Sequence, residues 1–149
     1  MGVRSGGGVI LTGPSEGERR REMKALNKQA TKVMDGLTGN GNRTVDNTPA
    51  FMAVHVEHIL TIDQGKIWSV THYFKQNGDL CRDPDMEFLQ GEDGQYYPLS
   101  FRQDIPPVRS ESVEFDLRGQ MKSYNPSVQK ELVGFANSWL KNIKDQQRL

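Results

Sequence analysis

The sequence predicts an α+β domain: an antiparallel β-meander of four to five strands flanked by an N-terminal and a C-terminal α-helix. Three observations predict it. Apolar residues recur at helical spacing before residue 40 and after residue 125, and between those stretches the period switches to two. Turn signals at Asp63-Gln64-Gly65, Gln76-Asn77-Gly78 and residues 91–94 cut the central stretch into strand-length pieces. A chain of 149 residues corresponds to one domain.

Residues 1–14, with Gly6-Gly7-Gly8 and Gly13-Pro14, read as a flexible arm ahead of a single domain at 15–149. Ser15 with Glu18 three residues on is a capping-box pattern, which predicts a helix from there to Gly36 or Gly39. Met23, Leu26, Ala30, Val33, Met34 and Leu37 form its apolar stripe, and Arg19, Arg20, Arg21, Lys24, Lys28 and Lys32 load the rest with positive charge. Residues 39–49 read as a polar linker. Four strands follow, around Val54–Ile62, Trp68–Phe74, Leu80–Phe88 and Gln95–Arg102. Ile105-Pro106-Pro107-Val108 breaks the fourth, and Val113, Phe115 and Leu117 suggest a fifth. Asn125 as N-cap with Pro126 behind it opens the last helix, whose stripe is Val128, Leu132, Phe135, Ala136, Trp139, Leu140 and Ile143.

Burial decides the expected hairpin registers. A loop of three residues, Asp63 to Gly65, pairs Leu60 with Trp68 and His58 with Val70, keeping the apolar set on one side. The same choice at Gln76-Asn77-Gly78 pairs Phe74 with Leu80 and Trp68 with Met86. Asp79, Asp83, Asp85 and Glu87 then form a carboxylate stripe on the outer face of the sheet, which His55 and Glu57 share. His58 and His72 fall on the core face.

The chain carries 19 Lys and Arg against 19 Asp and Glu, a formal net charge of zero. The zero is a cancellation. Residues 1–50 hold 8 basic and 5 acidic residues, residues 51–107 hold 4 and 9, and residues 108–149 hold 7 and 5. This excludes a uniformly basic nucleic-acid coat or membrane-surface binder, yet leaves an acidic sheet able to face a basic partner. No stretch approaches the roughly 20 apolar residues of a membrane span. Val9-Ile10-Leu11 is too short for a signal-peptide core, and Gly6 stands where N-myristoylation needs Ser or Thr. The expected location is therefore cytoplasmic. A single cysteine, Cys81, excludes an intramolecular disulfide and a multi-cysteine zinc site.

Several constellations bear on chemistry. The carboxylates offer hard oxygen ligands, with Asp83 and Asp85 flanking Pro84, but without the spacing of a Ca²⁺ loop. The plainer role of such a stripe is a solvated face that prevents edge aggregation. His55-Val56-Glu57-His58 is not the zincin pattern, and on a strand its two histidines point opposite ways, leaving only His55 and Glu57 able to share an ion. A pairing of His72 with Asp83 would be a general-base arrangement, but it requires a two-residue Asn77-Gly78 loop. Cys81 lies between Asp79 and Asp83, surroundings opposed to a reactive thiolate. Gly13-Pro14-Ser15 lacks the Lys of a P-loop. Tyr73, Tyr96, Tyr97 and Phe101 are candidates for stacking bases, with acidic residues between them arguing against it. No metal site and no cofactor are expected.

The segments His72-Tyr73-Phe74-Lys75-Gln76-Asn77-Gly78-Asp79-Leu80 and Arg82-Asp83-Pro84-Asp85-Met86-Glu87-Phe88 resemble those of a bacterial family of unknown function carried by phages and integrative mobile elements. Tyr97-Pro98-Leu99-Ser100-Phe101 with Asp104, and the run from Phe135 to Ile143, resemble its later motifs, so the similarity spans residues 51–147. The resemblance implies an α+β fold and a mobile-element accessory protein, without a reaction. It marks Asn77-Gly78-Asp79 and Asp83-Pro84 as signature positions, which physical chemistry reads as a hairpin turn and a strand bend.

The leading expectation is a non-catalytic interaction protein of a phage or mobile element. It would inhibit a host or defence protein by presenting Asp79, Asp83, Asp85, Glu87 and Glu57 to a basic surface. One alternative is a nucleic-acid-binding accessory protein that uses Arg19, Arg20, Arg21, Lys24 and Lys28. Another is a metal-dependent hydrolase built on Glu57, Asp83 and Asp85.

Overall fold

Adjacent apolar pairs in the strands govern the architecture, because a strand with two neighbouring apolar residues must bury both of its faces. The computed structural model describes residues 4–5, 8–10, 23–47 and 51–149. In chain order the elements are β1 (Arg4–Ser5), β2 (Gly8–Ile10), α1 (Lys28–Thr38), β3 (Arg43–Val45), β4 (Val54–Ile62) and β5 (Gly65–Gln76). Then come β6 (Asp79–Gly91), β7 (Tyr96–Gln103), β8 (Val108–Glu111), β9 (Val113–Phe115), β10 (Met121–Tyr124) and α2 (Pro126–Gln147). β3 to β8 form a six-stranded antiparallel sheet in sequential order, and a second sheet runs β1-β2-β10-β9. The α+β class and the flanking helices match expectation, and the strands outnumber it. β1 and β2 fall within the expected arm, β3 within the expected linker, and β8 starts directly after the Pro106-Pro107 break. The suggested fifth strand ends at Phe115, and Leu117 is 98% exposed.

Both hairpin registers differ from expectation. The β4–β5 loop is the two residues Asp63-Gln64, with Ile62 opposite Gly65. A bulge between His58 and Leu60 then shifts the ladder, so that His58 faces Trp68 and Val56 faces Val70. The β5–β6 loop is Asn77-Gly78, with φ of 53° and 85°, the left-handed pair that a tight two-residue hairpin requires. Gln76 pairs with Asp79, and a bulge between Thr71 and Tyr73 puts Trp68 opposite Phe88 and Val70 opposite Met86. A bulge absorbs the odd residue, so a short tight turn and an apolar inner face coexist. Gly65 seals the end of the hairpin: a Cβ there would lie 2.0 Å from the Gln90 carbonyl oxygen.

The inner face of the large sheet carries Val54, Val56, Trp68, Val70, Met86, Phe88 and Tyr96, all packed against Leu26, the buried side of α1 and the buried side of α2. The outer face is also buried at one end. There Ile62, Ile67, Leu89, Tyr97 and Leu99 pack with Val113, Met121 and Tyr124 of the small sheet. Two cores therefore lie on opposite faces of one sheet.

The helix expected from Ser15 is shorter. α1 starts at Lys28, capped by Asn27, whose side chain accepts from the Ala30 amide at 2.8 Å. Met23 to Asn27 is not helical, and Met23 packs in the outer core while Leu26 packs in the inner one. Buried Gln129 of α2 explains the extended path: its Oε1 accepts from the Lys24 amide at 2.9 Å and its Nε2 donates to the Lys24 carbonyl at 2.6 Å. The expected capping box lies outside the described residues. α2 begins at Asn125-Pro126 as read, with the Asn125 side chain accepting from the Val128 amide. No helix among the described residues is long and apolar enough to cross a membrane.

The two-core arrangement has a direct test. Leu89→Ala, in the outer core, is expected to cost about 2–5 kcal/mol in urea unfolding, as much as Leu140→Ala in the inner core. Leu80→Ala, 64% exposed in the signature hairpin, should shift stability by less than about 0.5 kcal/mol.

Candidate functional site

Beyond the outer core, the outer face of the large sheet turns polar, and strand pairing arranges it in rows. One row is Glu57, Ser69, Glu87, Ser100 and Glu111, contributed in turn by β4 to β8. The next is Thr44, His55, Thr71, Asp85, Arg102 and Arg109, contributed by β3 to β8. Cross-strand neighbours on one face lie about 5 Å apart, so each row is a continuous surface.

Hydroxyl groups organise the carboxylates. Ser69 Oγ donates to Asp85 Oδ1 at 2.8 Å and lies 3.1 Å from Thr71 Oγ1. Ser100 Oγ donates to Glu87 Oε1 at 3.4 Å. Arg109 and Glu111 pair at 2.6 Å on the exposed end of the row. Burial pushes the Glu87 carboxyl above the ordinary range, and the neighbouring Asp85 charge adds to the shift. Asp85, Glu87, Ser100, Arg102, Arg109 and Glu111 enclose a polar cleft of about 100 Å³. At the other end of the rows, His55 Nδ1 lies 3.1 Å from Thr44 Oγ1 and its ring meets Tyr73 edge-on at 5.0 Å.

The expected stripe is therefore divided. Asp85 and Glu87 share the outer face with Glu57. Asp79 lies past the bulge opposite Gln76, so its side chain points away from them. Asp83 sits in the bulge, joined to Pro84 by a cis peptide bond, and its charge acts on His72 instead. Asp104, just past the end of β7, bonds the backbone of Arg82 on the β7 side of β6. Its Oδ2 accepts from the Arg82 amide at 2.7 Å and from Arg82 Nε at 3.1 Å, and these bonds hold its carboxyl below the ordinary range.

His72 is buried on the inner face as expected. Its Nδ1 accepts from Trp139 Nε1 at 3.4 Å, which leaves the proton on Nε2, buried without a hydrogen-bond partner. Burial lowers its affinity for a second proton, against the opposing pull of Asp83. His58, also expected in the core, is exposed at the bulge, where it leans on Trp68 and reaches Thr61 Oγ1 at 3.0 Å. Cys81 is buried and free.

The other candidate sites are dispersed. Among the described residues, no group of three or more His, Cys, Asp or Glu is placed to hold a metal ion. Glu57, Asp83 and Asp85 come from one strand, a bulge and a third position on different rows. Lys24 lies in the extended segment and Lys28 at the start of α1, so they do not continue one helix, and Arg19, Arg20 and Arg21 lie outside the described residues. Gly13-Pro14-Ser15 lies outside them too. The aromatic residues are split between faces: Tyr96 belongs to the inner core, Phe101 packs on Phe135 of α2, Tyr97 belongs to the outer core and Tyr73 meets His55. Ser69, Ser100, Arg102, Arg109 and Glu111 were not singled out from sequence. The alternation of Ser69 and Thr71 with Trp68, Val70 and His72 was the available signal for the first of these.

These features define a small α+β protein with both sheet faces partly buried and a hydroxyl-braced acidic surface on the open part of one. The chain belongs to the family described as "Domain of unknown function (DUF6908)", whose model matches residues 21–149. No curated protein and no solved structure matches it.

Two of the shifted groups, His72 and Glu87, predict opposite pH responses. His72 takes up a proton less readily folded than unfolded, so its contribution is complete above about pH 6.5 and is lost as pH falls from there toward its folded pKa. Substituting His72→Gln should remove that loss from urea midpoints measured at falling pH. Glu87 holds its proton more readily folded than unfolded, so its contribution is present at low pH and is lost as pH rises through its folded pKa. Glu87→Gln should therefore raise the midpoint at pH 7 relative to the parent, with the difference shrinking toward pH 4.

Proposed function

We propose that this protein is a non-catalytic interaction protein of a phage or mobile element, working in the cytoplasm, that binds and inhibits a host or defence protein through its acidic sheet face. The observation that carries the reading is the row Glu57, Ser69, Glu87, Ser100 and Glu111 with Asp85 beside it, a set of carboxylates on a rigid sheet surface. Side chains fixed by a sheet and braced by hydroxyls lose little freedom on binding, which favours recognition of a basic surface. Four carboxylates against Arg102 and Arg109 leave this face net negative, which disfavours phosphate and argues for a protein surface over nucleic acid here. The resemblance of His72–Leu80 and Arg82–Phe88 to mobile-element sequences supports the biological setting.

The test is capture from a bacterial host lysate at about 150 mM salt, comparing the parent with the double variant Glu57→Lys, Asp85→Asn. The parent is expected to retain a specific protein that the variant loses by about tenfold or more, as charge reversal at an electrostatically matched interface requires. Equal capture by both would remove the acidic face from the interaction.

A further inference from the structure

Where the small sheet meets the polar rows, the outer face is interrupted by a cavity of about 180 Å³. Ile59, Leu60 and Leu117 form its exposed apolar lip, with Leu117 98% exposed. Every charged residue lining it is acidic: Glu87, Glu111, Glu114 and Asp116. We propose that this seam is a docking groove for a segment of a partner protein that places a lysine or arginine against Glu87 and a large apolar side chain against Leu117. The inference rests on the acidic-face reading and assigns it a location and a partner chemistry.

Three arguments carry it. Single exposed hydrophobic residues are ordinary on protein surfaces, whereas three lining one cavity mark an interaction site. The β4 bulge supplies two of them, since it turns Leu60 out to pair with Ile67 on the outer face and leaves Ile59 unpaired. The charge of the groove also asks for a cation. Glu111 and Glu114 have Arg109 and Lys122 nearby, at 2.6 and 3.6 Å, but those pairs are exposed and weak. Asp116 Oδ1 accepts the Arg118 and Gln120 amides of the β9–β10 turn. Glu87, by contrast, is half-buried, accepts the Ser100 hydroxyl and forms no ion pair among the described residues; Arg109 acts on it only at longer range, opposed by Asp85 and Glu111. Finally, Glu87 lines both this cavity and the polar cleft, so a cation entering from the apolar side reaches a carboxyl whose ionisation it would favour. An uncharged apolar segment would leave that carboxyl without a partner.

The experiment measures fluorescence anisotropy of a labelled (Arg-Leu)₄ peptide at about 50 mM salt, with (Glu-Leu)₄ and (Arg-Ser)₄ as comparisons. The protein forms are the parent, Glu87→Gln, Leu117→Ser and Glu131→Gln, the last an exposed carboxylate on α2, away from the acidic face. The (Arg-Leu)₄ peptide is expected to bind about tenfold tighter than either comparison, and to weaken about tenfold with Glu87→Gln or Leu117→Ser while Glu131→Gln changes little. Affinity should rise with pH as Glu87 ionises. Equal weakening by Glu131→Gln would sink the groove, because binding would then follow overall charge. Equal binding of (Arg-Ser)₄, indifference to both groove variants, or no binding of any peptide would overturn the groove, and the lysate capture then judges the face by itself.

Discussion

The constraint on which this structure depends is that one sheet buries apolar side chains on both faces while leaving part of one face polar. A regular antiparallel strand sends alternate residues to opposite sides, so neighbours such as Ile67 and Trp68, or Phe88 and Leu89, divide between two cores. The bulges in β4, at the β5–β6 pairing and in the β6–β7 pairing reset the alternation wherever it would otherwise fail. They also set the ladder offsets that place Glu57, Asp85 and Glu87 on the open part of the outer face.

The rest of the fold follows from covering those two faces. α1 and α2 shield the inner face, and Tyr96 ties that layer together: its hydroxyl donates to Asp35 at 2.8 Å and sits 2.9 Å from Thr38 Oγ1. Burial and the Asp35 charge push the Tyr96 hydroxyl up to about 12, so it stays a donor at neutral pH. On the other side the chain leaves β8, turns at Ser112 and enters β9. The Ser112 hydroxyl donates to the Pro98 carbonyl at 2.8 Å, and its amide bonds the Leu99 carbonyl. One buried serine thus fixes the hand-over from the large sheet to the small one and with it the position of the groove.

The chemistry of the outer face is a product of register more than of composition. Asp79, Asp83, Asp85 and Glu87 are alternate residues in sequence, yet the bulge separates the first two from the last two. Asp83 is redirected to the neighbourhood of His72, and Asp104 accepts the Arg82 amide. The two signature segments, Asn77-Gly78-Asp79 and Asp83-Pro84, thereby act at a single structural place: a tight turn and the bulge that reconciles it with the core.

What the sequence by itself determined is the set of features governed by neighbours a few residues apart. The last helix was legible because Asn125, Pro126 and a long apolar stripe act within one element. The central strands and the place of the turn at residues 76–78 were legible because period-two patterning and glycine's left-handed preference are local, although the length of that loop was not. Only the tertiary structure decided the start of α1, since the bonds from Gln129 to Lys24 that hold residues 23–27 off a helical path span more than a hundred positions. It likewise decided the registers, because a bulge costs little locally and its benefit is realised only when two facing cores fill. The adjacent apolar pairs Ile67-Trp68, Phe88-Leu89 and Tyr96-Tyr97 record the second core in the sequence. Which of them faces the helices, and which carboxylates share a surface with Glu87, is fixed by pairing between strands.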